Sequence, residues 1–445
     1  MSEPFPLLNT SADQLHNSDP NGGAAIRRRK SSAIGGDIRA GDTGAPAFAS
    51  SRASLNASEQ HHNTNGVNAT KDGGKRKGRK RSMLTRARQT MVKHTWVLPA
   101  IILVILLAAY AVNPTKSNPL HYGIFLAYEM PDVLDDNGRV QYGKGKLDFA
   151  FVAFYTIVLS FTREFVMQEI LRPLARRAGL SKGKQARFME QVYTALYFSF
   201  LGPWGLYAMS RTPVWYFNTY GMYEGFPHKT HDACFKFYYL FQAAYWAQQA
   251  IVLVLGMEKP RKDFKELVGH HVVTLALIGL SYRFHFTYMG IAVYITHDVS
   301  DWFLATVKTL NYLDSPILAP FYAVFMCAWI YLRHYVNLRI IWSLFNEFQT
   351  VGPYVVDWEA QQYKCPLALY ITAPLLISLQ ALNLFWLFYI VRIAYRMLAH
   401  NVAEDDRSED EDEDEAEDKV EEKLDNGKAN GYSSAVKTNG TATRR

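Results

Sequence analysis

Two short clusters of ionisable residues sit in segments otherwise apolar enough for a lipid bilayer. The first is GHHVVT, with His270, His271 and Thr274; the second is THDVSD, with His297, Asp298, Ser300 and Asp301. An ionisable side chain at the centre of a membrane helix costs roughly 2.5–3.5 kcal/mol on insertion scales, so each is a functional candidate by default. Helical spacing sharpens the grouping. Asp298 and Asp301 stand three residues apart, His297 and Asp301 four, and each pair shares a helix face. His270 and Thr274 share another, while His271 points about 100° away from His270. Imidazole exchanges protons near neutral pH, and a nearby carboxylate fixes its tautomer and stabilises the imidazolium. The pattern suits acid–base or nucleophilic chemistry. The competing interpretation is a set of polar groups that hold helices together. Three histidines and two carboxylates at matching depth favour chemistry.

A metal centre is a weaker alternative. His228 and His231 form an HxxH, but they fall in a loop away from His270, and the repeated histidine boxes of a di-iron enzyme are missing. Cys234, Cys327 and Cys365 are far apart and make neither a CxxC pair nor a disulfide framework. No metal is expected.

Positioning these clusters takes a membrane bundle. The chain has 445 residues, 49% hydrophobic and 14% aromatic, with net charge +7 and mean hydropathy −0.12. That average hides a partition. Residues 1–95 hold 16 Lys/Arg against 7 Asp/Glu, and residues 400–445 hold 7 against 15. Both read as disordered polar tails that cannot bury a core, and the first shows no signal-peptide pattern. Between them lie eight windows long and apolar enough to cross a bilayer as helices: about 96–112, 147–171, 190–209, 233–256, 267–284, 287–308, 316–345 and 367–396. A soluble multidomain protein is excluded. The expected fold is an all-α polytopic membrane protein with about eight transmembrane helices.

Basic flanks orient it. Lys75–Arg81, with Arg86, Arg88 and Lys93, precedes the first window and predicts a cytosolic N-terminus. Arg172, Arg176, Arg177, Lys182, Lys184 and Arg187 follow the second; Lys259, Arg261, Lys262 and Lys265 follow the fourth. Simple alternation puts both loops, and the acidic tail, in the cytosol. Both ionisable clusters then occupy the cytosolic half of the membrane. The aromatic stretch Pro213–Tyr223 falls on the lumenal side and reads as an interfacial belt. Sequons at Asn9, Asn56, Asn68 and Asn439 lie in the tails and should go unused.

The stretch His270–Leu313, HHVVTLALIGLSYRFHFTYMGIAVYITHDVSDWFLATVKTLNYL, resembles the Lag motif of ceramide synthases within the TLC-domain family. Its likeness to the fungal type includes SYRFHFTYMG (Ser281–Gly290) and KTLNYL (Lys308–Leu313). FTRE at Phe161–Glu164 and AYWAQQ at Ala244–Gln249 fit as well, and the likeness runs from about Phe151 to Ala399. The family's motif histidines match His270 and His271, its HD…D matches Asp298 and Asp301, and His297 matches too. Thr274 and Ser300 stand beside them as supporting candidates. The 172–189 loop is too short for the homeobox-like segment of many animal members, and His285 stands where their motifs tend to carry Asn, which reads as subtype.

The resemblance implies an endoplasmic-reticulum N-acyltransferase joining a fatty acyl-CoA, expected to be very long chain, to a sphingoid base, dihydrosphingosine or phytosphingosine. The products are ceramide and CoA. No cofactor is expected beyond acyl-CoA as co-substrate. It also implies a six-helix TLC-type barrel around a lipid cavity. The chain then divides into a basic cytosolic tail (1–95), a first span and lumenal loop (96–146), a second span and basic loop (147–189), the barrel (190–399) and an acidic cytosolic tail (400–445).

Two mechanisms remain open: one of His270 and His271 takes the acyl group while the other acts as acid or base, or a single histidine serves as general base. Asp298 or Asp301 would orient a histidine or bind the sphingoid ammonium. The basic loops either steer CoA phosphates or are ordinary cytosolic charge. Arg333, His334 and Arg339 either form ion pairs or line the cavity. In the family the lumenal loop between the last two spans, here about Asn346–Cys365, is linked to chain-length choice. Expected partners are the two substrates, membrane lipid and a small single-span accessory subunit, with room for a homodimer and none for nucleic acid. Ser31 and Ser32 in RxRxxS, and Ser408 before an acidic run, suit protein kinases. A non-catalytic TLC-type protein is the main alternative, but such members lack the paired histidines. A proton-coupled transporter is a further one.

Overall fold

Apolar runs bounded by charged and turn residues become long helices in the computed structural model, which describes residues 91, 93–257 and 263–400. They are α1 (Val97–Val112), α2 (Asp148–Arg177), α3 (Lys182–Ser210), α4 (Ala233–Val254), α5 (Phe264–Arg283), α6 (Thr287–Tyr312), α7 (318–346) and α8 (Pro366–His400). All but α3 begin within three residues of an expected window; α3 starts eight residues earlier, its polar first turns lying outside the apolar window. Length and composition alone mark α2 and α8 as able to cross a membrane, and α1 is apolar but shorter. Helices α4 to α7 carry buried polar residues, among them Gln242, His270, Asp298 and Arg333. Ser31, Ser32, Ser408, Lys259, Arg261, Lys262, the sequons and the Lys75–Arg81 run lie outside the described residues.

The all-helical expectation missed a small antiparallel sheet, β1 (Glu129–Leu134), β2 (Val140–Tyr142) and β3 (His231–Asp232), in that order. Asp135 folds the β1–β2 turn by accepting from the Asn137 and Arg139 amides (3.0 and 2.8 Å), and Gly138 takes the left-handed φ of 72° there. The two-residue β3 carries no sequence signal; it is recruited by charge. Arg211 (2.7 Å) and Arg139 (3.4 Å) converge on Asp232, which also caps α4 by accepting from Phe235 N at 2.8 Å.

Packing sets the helix directions. Thr156 of α2 reaches Ala244 O, and Phe151 meets Phe237, so α2 and α4 run in the same sense. Tyr197 of α3 bonds Gln242 while Gly205 abuts Tyr238, so α3 opposes them. The end of α2, the start of α3, the end of α4 and the start of α5 therefore share one end of the bundle. Arg176 and Arg177 are exposed there, with Arg172, Lys184 and Arg187 half-buried, and Arg187 pairs with Glu190 at 3.6 Å. α6 packs most extensively on α3, and the core collects buried residues such as Tyr238, Ile291, Ile295, Ile340 and Leu376.

The turn between α5 and α6 decides the site. Phe284, His285 and Phe286 reverse the chain, with His285 in the left-handed region at φ 67°. Counting outward from it at about 1.5 Å per residue, His270 and His297 stand within about one helical turn of the same depth.

Gly290 permits the close contact of α6 with α4. A Cβ there would meet Tyr239 Oη at 2.1 Å, and that buried hydroxyl is already bonded to Ser281. Gly290→Ala is expected to destabilise the fold by about 1–3 kcal/mol through overpacking, read as a lower unfolding midpoint in detergent.

Candidate active site

α4, α5, α6, the 356–365 segment and α8 line a partly open cavity of about 220 Å³. Its wall is almost wholly apolar. Along α5 it runs from His270 to Phe284, about 21 Å of helix rise. His270 and His297 line it at the end nearer the basic loops; Val356, Trp358, Tyr363 and Cys365 line the other.

The histidine end carries an unusual polar demand. Trp246 Nε1, His270 Nδ1, Thr274 Oγ1 and Tyr294 Oη are buried, make no hydrogen bond within the protein and belong to residues lining this cavity. Leaving a buried polar group unsatisfied costs about 1–3 kcal/mol each, so four around one apolar space mark where a polar ligand group would be held. Trp246 lies in the AYWAQQ stretch. Tyr294 had no sequence signal, being one more aromatic in an apolar run.

Aromatic rings hold His270 in place. Its ring stands 5.5 Å from Trp246, 5.3 Å from Trp386 and 5.7 Å from His271, edge-on to each. Trp386 is itself tied by Nε1 donating to Asp263 at 3.3 Å. His271 is buried beside the cavity wall and donates from Nδ1 to Leu267 O at 2.8 Å, which leaves Nε2 as the basic nitrogen. His297 has the same tautomer, Nδ1 donating to Val293 O at 2.8 Å.

The carboxylates turn elsewhere. Asp298 accepts from Tyr238 Oη at 2.7 Å and from Gln242, both on α4. Asp301 pairs with Arg333 on α7, whose Nε also donates to Ser300 Oγ at 2.6 Å. The guanidinium lies 4.1 Å over Trp329 and donates to Asn383 Oδ1 at 3.1 Å, and the Asn383 amide approaches His297 Nε2 at 3.4 Å. The two aspartates share a face of α6, yet one serves α4 and the other α7. Arg333 is therefore an ion-pair residue, linked to the cavity through Asn383 and His297. His334 accepts from Gln380 at 2.7 Å, and Arg339 is exposed.

His228 and His231 do not form a metal pair: His228 donates from Nε2 to Glu224 O, and His231 Nε2 meets Thr287 Oγ1. Among the described residues no group of His, Cys, Asp and Glu is arranged to hold a metal.

The far end of the cavity is pinned by neutral histidines. His285 donates from Nε2 to Gln361 at 3.2 Å and stacks on Tyr363, and Lys144 donates to His228 O at 2.7 Å. Burial, then the nearby Lys144, hold His285 down at about 4 from an ordinary 6.5, and burial does the same to His228. A histidine depressed in the fold stabilises it above its unfolded pKa, and that contribution is lost as pH falls through the folded value. The unfolding midpoint is expected to drop between pH 6.5 and about 4. His285→Asn should flatten that slope; an unchanged slope would assign it to other groups.

The TLC domain profile matches residues 187–392, which run from the first turns of α3 to near the end of α8. A sphingosine N-acyltransferase-like protein of Gibberella moniliformis is 52% identical over 72% of this chain and 83% of its own. The sphingosine N-acyltransferase lac1 of Schizosaccharomyces pombe is 47% identical over 75% and 86%, respectively. This chain belongs to the TLC-domain ceramide synthase family. The ceramide synthase LAG1 of Saccharomyces cerevisiae is 45% identical over 86% of the chain and 92% of its own length. With two helices able to cross a bilayer by themselves, this family member is a membrane protein. Its TLC match leaves out α1 and α2, and neither contributes a residue to the cavity.

Proposed function

We propose that this chain is a ceramide synthase, transferring the acyl group of a fatty acyl-CoA, of very long chain, to the amine of a sphingoid base. The observation that carries this reading is the set of unsatisfied polar groups around His270, at one end of an otherwise apolar cavity. Relatives named as a sphingosine N-acyltransferase and a ceramide synthase support it.

His270 is the group that meets the reacting atoms. The amine nitrogen bonds to the thioester carbonyl carbon, the carbon–sulfur bond breaks, and the proton lost by nitrogen passes through imidazole to the departing thiolate. Transfer through an acyl-imidazole splits the same change into two steps. The Trp246 N–H is the donor for the carbonyl oxygen as it gains charge. His271 backs His270, while Asp298 and Asp301 act through Tyr238, Gln242 and Arg333 as positioning residues. Thioester to amide is downhill and draws on neither ATP nor a metal.

In this reading all the long helices cross the endoplasmic-reticulum membrane, both termini are cytosolic, and α3–α8 form the barrel. CoA stays at the basic end, where Arg172, Arg176, Arg177, Lys184 and Arg187 stand, and the acyl chain descends toward the 356–365 segment. A single-span accessory subunit and a second copy are the expected partners.

The test uses membranes from cells lacking ceramide synthase, expressing this chain with the fungal accessory subunit and given a sphingoid base and an acyl-CoA panel. Ceramide and free CoA are expected. Continued silence ends the enzyme reading in favour of a non-catalytic TLC-type protein.

A further inference from the structure

The unsatisfied groups are not all at the reacting centre. Thr274 lies one turn along α5 from His270, and Tyr294 lies one turn along α6 from His297. Because α5 and α6 are antiparallel, both steps lead the same way into the cavity, about 5.4 Å beyond the histidines. Both hydroxyls are buried and without a partner, and Tyr294 is 6% exposed. The polar demand stops there. The next hydroxyl pair, Ser281 and Tyr239, is satisfied by its own mutual bond, and the neighbouring wall is Leu277, Ile278, Met289 and Val293. Two hydroxyls thus form a collar one turn from His270.

We propose that Thr274 and Tyr294 are the subsite that reads the hydroxyls of the amino-alcohol acceptor, an inference that rests on the proposed N-acyl transfer. A plain acyl chain offers nothing for either group to bond. A sphingoid base does: the carbon bearing the amine is flanked by carbons bearing hydroxyls. With the amine at His270, a hydroxyl reached through a hydrogen bond of about 2.7–3.0 Å spans the one-turn offset. Tyr294 and Thr274 can each donate or accept, so the collar takes one or both alcohols. A site built to bond a hydroxyl rejects the analogue lacking it, because its own buried groups are then left unpaired.

The experiment measures kcat/KM with dihydrosphingosine and with its 1-deoxy and 3-deoxy analogues, for wild type, Thr274→Val, Thr274→Ser and Tyr294→Phe. Wild type should prefer the parent base. That preference is expected to fall about 10-fold to 100-fold over at least one deoxy analogue in Thr274→Val and Tyr294→Phe, and to survive in Thr274→Ser. A merely structural role would slow all bases equally and leave the ratio intact, which would overturn the subsite. Should Tyr294→Phe fail to fold, the Thr274 pair carries the test alone. A parallel arm compares plain and 2-hydroxy acyl-CoA. A ratio that moves there, and not among the bases, would overturn the assignment to the base. Wild type that makes ceramide but ignores the deoxy change sinks the subsite and leaves the enzyme reading standing; wild type that makes none sinks both.

Discussion

His270→Ala is expected to lower N-acyl transfer by about 10²-fold to 10⁴-fold, the range lost with a positioned acid–base group. Alanine leaves Trp246 and Trp386 in place and removes the imidazole that faces the cavity. The defect should sit in kcat, since the apolar wall that binds the chains is untouched. The variant should reach the membrane in normal amount, because His270 Nδ1 gives up no hydrogen bond within the fold. His271→Ala is also expected to lose activity, through the edge-on contact that orients His270. The assay is ceramide formation in membranes with protein levels matched by immunoblot. Full activity in the His270 variant would remove it from the mechanism.

Arg333→Ala is expected to be the most damaging change to the fold. Its guanidinium satisfies Asp301, Ser300 and Asn383 at once, in a site where it is 2% exposed. Removing one partner of a buried ion pair costs about 3–5 kcal/mol, and less here because the Asp301 side chain keeps 20% exposure. Lysine should rescue poorly, having no planar fork to reach three acceptors. The double variant Arg333→Met with Asp301→Leu should recover much of the loss, because it removes both charges together. Thermal unfolding in detergent reads all three. A single Arg333→Ala variant melting with wild type would show that the pair contributes nothing.

These two residues illustrate what was legible in one dimension. His270 stood out, since a histidine pair in an apolar segment is costly, and its ring does line the cavity. Arg333 was equally visible as an anomaly, but its partner was not. Asp301 lies 32 positions away on a different helix, and helical spacing within α6 links it equally well to His297. Periodicity defines faces of one helix; it says nothing of which helix each face meets.

The sheet shows the same division. The Asn137–Gly138 turn is written locally, whereas β3 exists because two arginines from distant segments converge on Asp232. Tyr294 and Trp246 were missed for a related reason: an aromatic in an apolar run is indistinguishable from core until its polar atom is found without a partner. By itself the sequence determined the helical class, most segment boundaries to within a few residues, and the two clusters on which chemistry could rest, while the polar start of α3 and the polar end of α2 lay beyond their apolar windows. Each follows from composition and period along one chain. Only the tertiary structure decided that His270 and His297 share a cavity while both aspartates turn away from it. Helix packing chooses among faces that the local pattern leaves equivalent, and burial then makes each unpaired polar atom count.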